Sequence, residues 1–181
     1  LLSGVSAIIA LATLFAVLSP GETLHLIPGL TFLTLRVDAL DAIMLVMITT
    51  IAWSILRFSQ NYLEGEADQD RFIAFFALTL TSVAVLVLAD HLVLFALAWI
   101  TTSLSLDRLL IFYPQRAKAL LAAHKKFLVS RIADALLIIS LILLATTSGS
   151  PLISQINPLL VELGASMPFQ IEAAAILMVL A

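Results

Sequence analysis

Arg131 and Asp134 stand three residues apart at the start of Phe127–Thr147, a run in which they are the only charged residues. At that spacing a helix puts both side chains on one face, close enough to pair. A bare charge at bilayer depth costs at least about 2.5–3.5 kcal/mol, so the pair must face protein or water rather than lipid. At 100° per residue His124, Lys126, Ser130, Arg131 and Asp134 fall within an arc of about 160°, and the opposite face is Leu, Ile, Val and Ala. Proton or cation movement along the polar face is the chemistry this pattern suggests. The competing explanation is a structural salt bridge between packed helices that moves nothing. Lys125 lies off the arc and reads as a snorkelling anchor.

Asp90 and His91 form a second candidate group at the junction of two uncharged runs. Asp90 is a candidate proton entry or exit group, and His91 titrates near neutral pH; the plainer reading is a polar tip that meets solvent. Asp107-Arg108 reads as a local pair near a headgroup region. Thr101, Thr102, Ser103 and Ser105 follow Trp99 and are expected to bond their own helix or a packed neighbour.

These side chains have to be carried by membrane helices. Of the 181 residues 62% are hydrophobic and 12% charged, with a mean hydropathy of +1.14, against about 45–50% and about 25% in ordinary globular domains. No strand-like alternation is present, and backbone in lipid must satisfy its own hydrogen bonds, so the expected fold is all-α, a polytopic transmembrane bundle. The expected helices are 1–19, 39–56, 72–89, 92–113, 127–147 and 169–181, the last cut short, in a single transmembrane domain that is the N-terminal part of a longer subunit. Pro20–Thr34, with Pro20-Gly21 and Pro28-Gly29, reads as turns with room for a short extended piece. Pro151–Leu163, with Pro158 inside, is too polar to span and is expected at the outer surface.

The connectors alternate in charge. Arg57–Arg71 and Asp107–Lys126 carry seven basic residues between them, against Arg36 alone in Pro20–Asp38, Asp90–His91 and Ser148–Pro168 together. The positive-inside bias places the two basic connectors in the cytoplasm.

Other classes fall away. A net charge of −3 with no basic patch excludes a nucleic-acid partner. There is no cysteine, so thiol chemistry and cysteine zinc sites are excluded. The six glycines make no phosphate-binding loop, and the three histidines are far apart, so no metal site or cofactor is expected in this chain.

Leu35-Arg36-Val37-Asp38-Ala39-Leu40, Tyr62–Phe72, Val87-Leu88-Ala89-Asp90 and Val129-Ser130-Arg131-Ile132-Ala133-Asp134 resemble the proton-conducting antiporter-like family. That family includes the large antiporter-like subunits of respiratory complex I and of Mrp cation/proton antiporters. The resemblance runs from about Leu35 to Leu144. It departs at one position: complex I subunits carry a proton-path glutamate after the tryptophan of this fourth helix, and this chain has Trp99-Ile100. The family's next lysine is expected just beyond Ala181. Ala98–Leu104, Arg108–Tyr113 and Lys125–Arg131 are more similar to one branch, the membrane subunit of DAB inorganic carbon accumulation complexes.

That resemblance implies a cation-conducting, multi-pass subunit of a bacterial plasma (inner) membrane, a transport subunit and not an enzyme. It also implies a cytoplasmic, carbonic-anhydrase-like (DabA-type) partner that holds the zinc and hydrates CO2 to bicarbonate. The ion-path candidates are Asp134, Arg131, Lys126, Asp90 and His91. The rival readings are a proton-pumping subunit of complex I or a Mrp antiporter, and a membrane scaffold that transports nothing.

Overall fold

A computed structural model describes residues 23–25, 32–66, 68–111, 117–163 and 168–181; the expected helix 1–19 lies outside them. The other apolar runs form helices, as a chain that must bond to itself in lipid does. They are α1 (Ala39–Tyr62), α2 (Gln69–Leu88), α3 (Leu92–Leu110), α4 (Ala117–Ser148), α5 (Ile153–Leu163) and α6 (Phe169–Leu180). α1, α2, α3 and the Ala123–Ser148 part of α4 are long and apolar enough to cross a membrane. β1 (Thr23–His25) pairs antiparallel with β2 (Thr34–Arg36), which supplies the extended piece beside α1.

Two helices outrun their hydropathy by a turn or more. α1 continues to Tyr62 rather than Leu56, and α4 begins at Ala117 rather than Phe127. Hydropathy marks where lipid begins, whereas a helix stops only where its backbone has a reason to stop. Ala117 to Lys126 is Ala, Leu, Lys and one His with no Gly or Pro, good helix formers throughout. At about 1.5 Å per residue the 32 residues of α4 reach about 48 Å, well past an apolar layer of about 30 Å. In the other direction, α3 ends at Leu110, short of Tyr113.

The polar connector after α4 contains α5. Its inner side reaches the core through Ile156, 2% exposed, while Val161 on its outer side is 82% exposed. Leu92 of α3, Leu137 and Leu141 of α4 and Ile156 form the buried cluster, with Phe95 and Trp99 packed against it. Outside this core the helices present apolar side chains outward, Ile43, Met47 and Phe58 of α1 among them. A water-soluble domain could not leave so much exposed; lipid asks for it.

Three connectors meet at one end of the bundle. Leu35 of β2 bridges to Ala89, and His91 bridges to Leu152. Leu92 N donates to Pro151 O at 3.0 Å and Ile153 N to Asp90 O at 2.7 Å. These are the three connectors that carry a single basic residue between them, so their grouping matches the charge alternation by an independent route.

Candidate functional site

Helices α3 and α4 hold the charged groups between them. Down α3, Trp99, Ser103 and Asp107 recur every four residues and so share a face. On α4 that face meets Lys126, Ser130, Arg131 and Asp134. Trp99 Nε1 donates to Asp134 Oδ1 at 3.0 Å, and Arg131 Nη2 lies 2.8 Å from Asp134 Oδ2. The same Nη2 donates to Ser103 Oγ at 2.9 Å and lies 3.8 Å from Asp107 Oδ2. Lys126 Nζ donates to Asp107 Oδ1. The Arg131 guanidinium also sits 5.1 Å from the centre of the Phe127 ring, a cation–π contact.

The result is a ladder, Lys126–Asp107–Arg131–Asp134–Trp99, with two cations and two anions. It covers about 12 Å of α4 at 1.5 Å per residue, from the basic end inward. Both carboxylates are buried, Asp107 and Asp134 each 6% exposed as residues. Beside them lies an open, mostly apolar cleft of about 270 Å³, lined by Leu86, Leu106, Ala133 and Ala181 as well as by Trp99, Thr102, Ser103, Lys126, Ser130 and Asp134. That is room for several water molecules at about 30 Å³ each.

The ladder is incompletely bonded. Among the described residues, the buried side-chain polar atoms lacking a hydrogen-bond partner are Asp107 Oδ2, Arg131 Nε and Asp134 Oδ2. The Arg131–Asp134 contact is therefore ionic rather than an aligned fork. Such a set is weak evidence of a stabilising role, because replacing a buried ion pair by apolar groups is often neutral or stabilising by about 1–4 kcal/mol. What the arrangement offers is charge compensation that can be rearranged.

Three of the five candidates thus come together: Asp134, Arg131 and Lys126. Asp90 and His91 sit at the opposite end of α3. They are not a polar tip in solvent, since Asp90 is 3% and His91 8% exposed. Asp90 Oδ1 accepts from Ser154 N and Oδ2 from Ser154 Oγ, both at 2.9 Å, so the carboxylate caps the first turn of α5. His91 caps its own helix, its Nδ1 accepting from Val93 N at 3.1 Å. Burial pushes the His91 imidazole below its usual 6.5, with the Asp90 charge pulling the other way.

Asp107 corrects the sequence reading. It does not pair locally with the exposed Arg108 but reaches across to Lys126. The available signal was its four-residue spacing from Ser103 and Trp99. Thr101, Thr102 and Ser105 bond carbonyls of their own helix, as expected, whereas Ser103 turns to Arg131. Trp99 was expected only as a landmark, and its ring nitrogen turns out to hold Asp134.

The family model described as "NADH:quinone oxidoreductase/Mrp antiporter, TM" matches residues 89–181, just over half of the chain and all of this ladder. The chain belongs to that family. A second model, described as the N-terminus of chain 5 of NADH-ubiquinone oxidoreductase (complex I), matches residues 31–73. Among curated relatives, a probable inorganic carbon transporter subunit DabB of Hydrogenovibrio crunogenus is 36% identical over 80% of this chain and 28% of its own length. Subunit DabB2 of Halothiobacillus neapolitanus is 38% identical over 71% of this chain and 23% of its own. NADH-quinone oxidoreductase subunit L of Escherichia coli is 35% identical over 64% and 19%. The chain therefore spans about a quarter of the length of the DabB relatives.

Two solved structures share the fold. A chain of respiratory complex I from Thermus thermophilus superposes with a TM-score of 0.71 at 20% identity, covering 99% of this chain and 36% of that one. A chain of the archaeal membrane-bound sulfane sulfur reductase gives 0.74 at 16%, covering 97% and 37%. Family membership and the apolar spans make this antiporter-like chain a multi-pass membrane protein.

Proposed function

We propose that this chain is part of a cation-conducting membrane subunit, with protons as the cation, in an inorganic carbon accumulation complex of a bacterial inner membrane. The observation that carries the conduction reading is the incompletely bonded ladder beside a cleft at the basic end of α3 and α4. The DabB relatives supply the carbon side of the reading.

In this reading Lys126, 38% exposed at its side chain, exchanges protons with water in the cleft. Asp134 takes up and releases charge deeper in, and Arg131 compensates it. Trp99 holds one Asp134 oxygen and so fixes the carboxylate's orientation. The partner is a cytoplasmic carbonic-anhydrase-like subunit; it holds the zinc, and ion flow makes its hydration of CO2 to bicarbonate one-way. The basic connectors face that partner in the cytoplasm.

The likeness to subunit L favours a second reading, a proton-pumping subunit of NADH dehydrogenase or a Mrp antiporter. Ile100, which stands where the complex I resemblance asks for a glutamate, weighs against it. A transport-free scaffold would use the ladder only as a structural ion-pair network between α3 and α4.

The test uses cells that depend on the complete protein for growth at low CO2. A protonophore should stop bicarbonate accumulation, and accumulation that persists without a proton gradient would overturn the reading. In the same cells a cysteine at Gln69 should resist an impermeant thiol reagent added outside; labelling would reverse the sidedness.

A further inference from the structure

Asp107 is the one charged member of the ladder to which conduction through Lys126, Arg131 and Asp134 gives no task. It is also placed between both cations. Its Oδ1 holds Lys126, while its Oδ2 is buried without a hydrogen-bond partner and faces Arg131 Nη2 at 3.8 Å. That nitrogen is the one that touches Asp134 at 2.8 Å. One guanidinium nitrogen thus stands between two carboxylates, in contact with one and just beyond contact with the other. Among the described residues, Lys126 and Arg131 are the charged groups within ion-pair distance of Asp107.

We propose that Asp107 is a second proton-exchanging carboxylate of this site, which takes its proton from Lys126 and whose charge decides whether Arg131 is held by Asp134 alone or shared. The step is a single transfer. A proton leaves Lys126 Nζ for an Asp107 oxygen, the N–H electron pair stays on Nζ as a lone pair, and both groups become neutral. Arg131 then has one anion within reach, Asp134, and tightens on it. When Lys126 instead loses its proton to the cleft, Asp107 keeps its charge and has Arg131 as its only cation. The guanidinium is drawn the short distance toward Asp107, and Asp134 is freed to bind an incoming proton. Coulomb energy falls with distance and grows as water is excluded, so a shift of about 1 Å matters in this buried setting.

The proposal rests on the conduction reading above, and its test separates the two. The complete protein is purified in its complex and reconstituted in liposomes. Infrared difference spectra on acidification should show a protonated-carboxyl carbonyl band in the wild type that Asp107→Asn lacks; this readout needs no transport. Cation flux should fall at least tenfold in Asp107→Asn. Asp107→Glu, which keeps the titrating group on a longer arm, should recover most of the flux with a displaced pH profile. The double variant Asp107→Leu with Lys126→Met keeps apolar bulk and should assemble yet stay slow.

An unchanged carboxyl band in Asp107→Asn would overturn the proposal. Wild-type flux in the double variant would make the pair purely structural, and so would overturn this proposal together with the role of Lys126 in conduction. Wild-type liposomes without cation flux would refute conduction instead, and the infrared band would still decide whether Asp107 exchanges protons.

Discussion

Helix α3 has a buried carboxylate junction at each end, and the two are built on opposite terms. At the connector-rich end Asp90 receives two neutral donors from Ser154, one of them backbone, at 2.9 Å each. The groups are rigid, and the anion lies where the first turn of α5 favours it. At the basic end Asp107 and Asp134 are held by long, movable cations, and each keeps one oxygen without a hydrogen bond. Both regions bury negative charge at similar depth, so burial does not separate structure from function. The conduction reading proposed above separates them by the completeness of the bonding. A fully bonded carboxylate anchors a connector, and a partly bonded one can change partners.

The largest effect should come from the incompletely bonded end. On the conduction reading Asp134→Ala removes the group proposed to exchange protons and leaves Arg131 without its nearest anion, so transport should fall to background. An orphaned buried charge can also cost about 3–5 kcal/mol, so assembly has to be measured beside flux. Arg131→Met with Asp134→Leu removes both charges and keeps the bulk. It should assemble normally and still not transport; restored transport would show that the pair is structural and would erase the contrast.

Asp90→Ala should do the reverse. Losing two charge-assisted hydrogen bonds is worth about 3–6 kcal/mol, and thermal unfolding in detergent should show that loss. Transport per assembled complex should stay within about twofold of wild type, by the estimate that the change leaves the ladder's contacts in place. A variant that is stable yet inactive would put Asp90 in the ion path.

The smallest effect is a pH dependence at the same end. The folded state holds His91 below its unfolded value of 6.5 and uses neutral Nδ1 as an acceptor. Unfolded chains therefore bind the extra proton first. The contribution is complete above about pH 6.5 and is lost as pH falls through the lower, folded value. His91→Asn keeps a capping acceptor and cannot titrate, so its stability should vary less with pH between 7 and 5. The difference is read from unfolding at a series of pH values. Parallel profiles for the two proteins would remove His91 from the account.

Hydropathy is a property of each residue toward its solvent, so the sequence alone located the four long apolar helices among the described residues. The pairing of Arg131 with Asp134 was legible for a second local reason, since helix pitch brings i and i+3 together whatever lies around them. The ends of α1 and α4 were less legible, because lipid contact and helix continuation are different questions. The partners across helices were not legible. Asp107 meets Lys126 from 19 residues away, Trp99 meets Asp134 from 35, and Asp90 meets Ser154 from 64. Each depends on how far one helix is rotated and slid against another, which is set by packing of the whole core. The sequence by itself determined which groups could not tolerate lipid; only the tertiary structure decided which of them were fully hydrogen-bonded and which kept an atom unbonded.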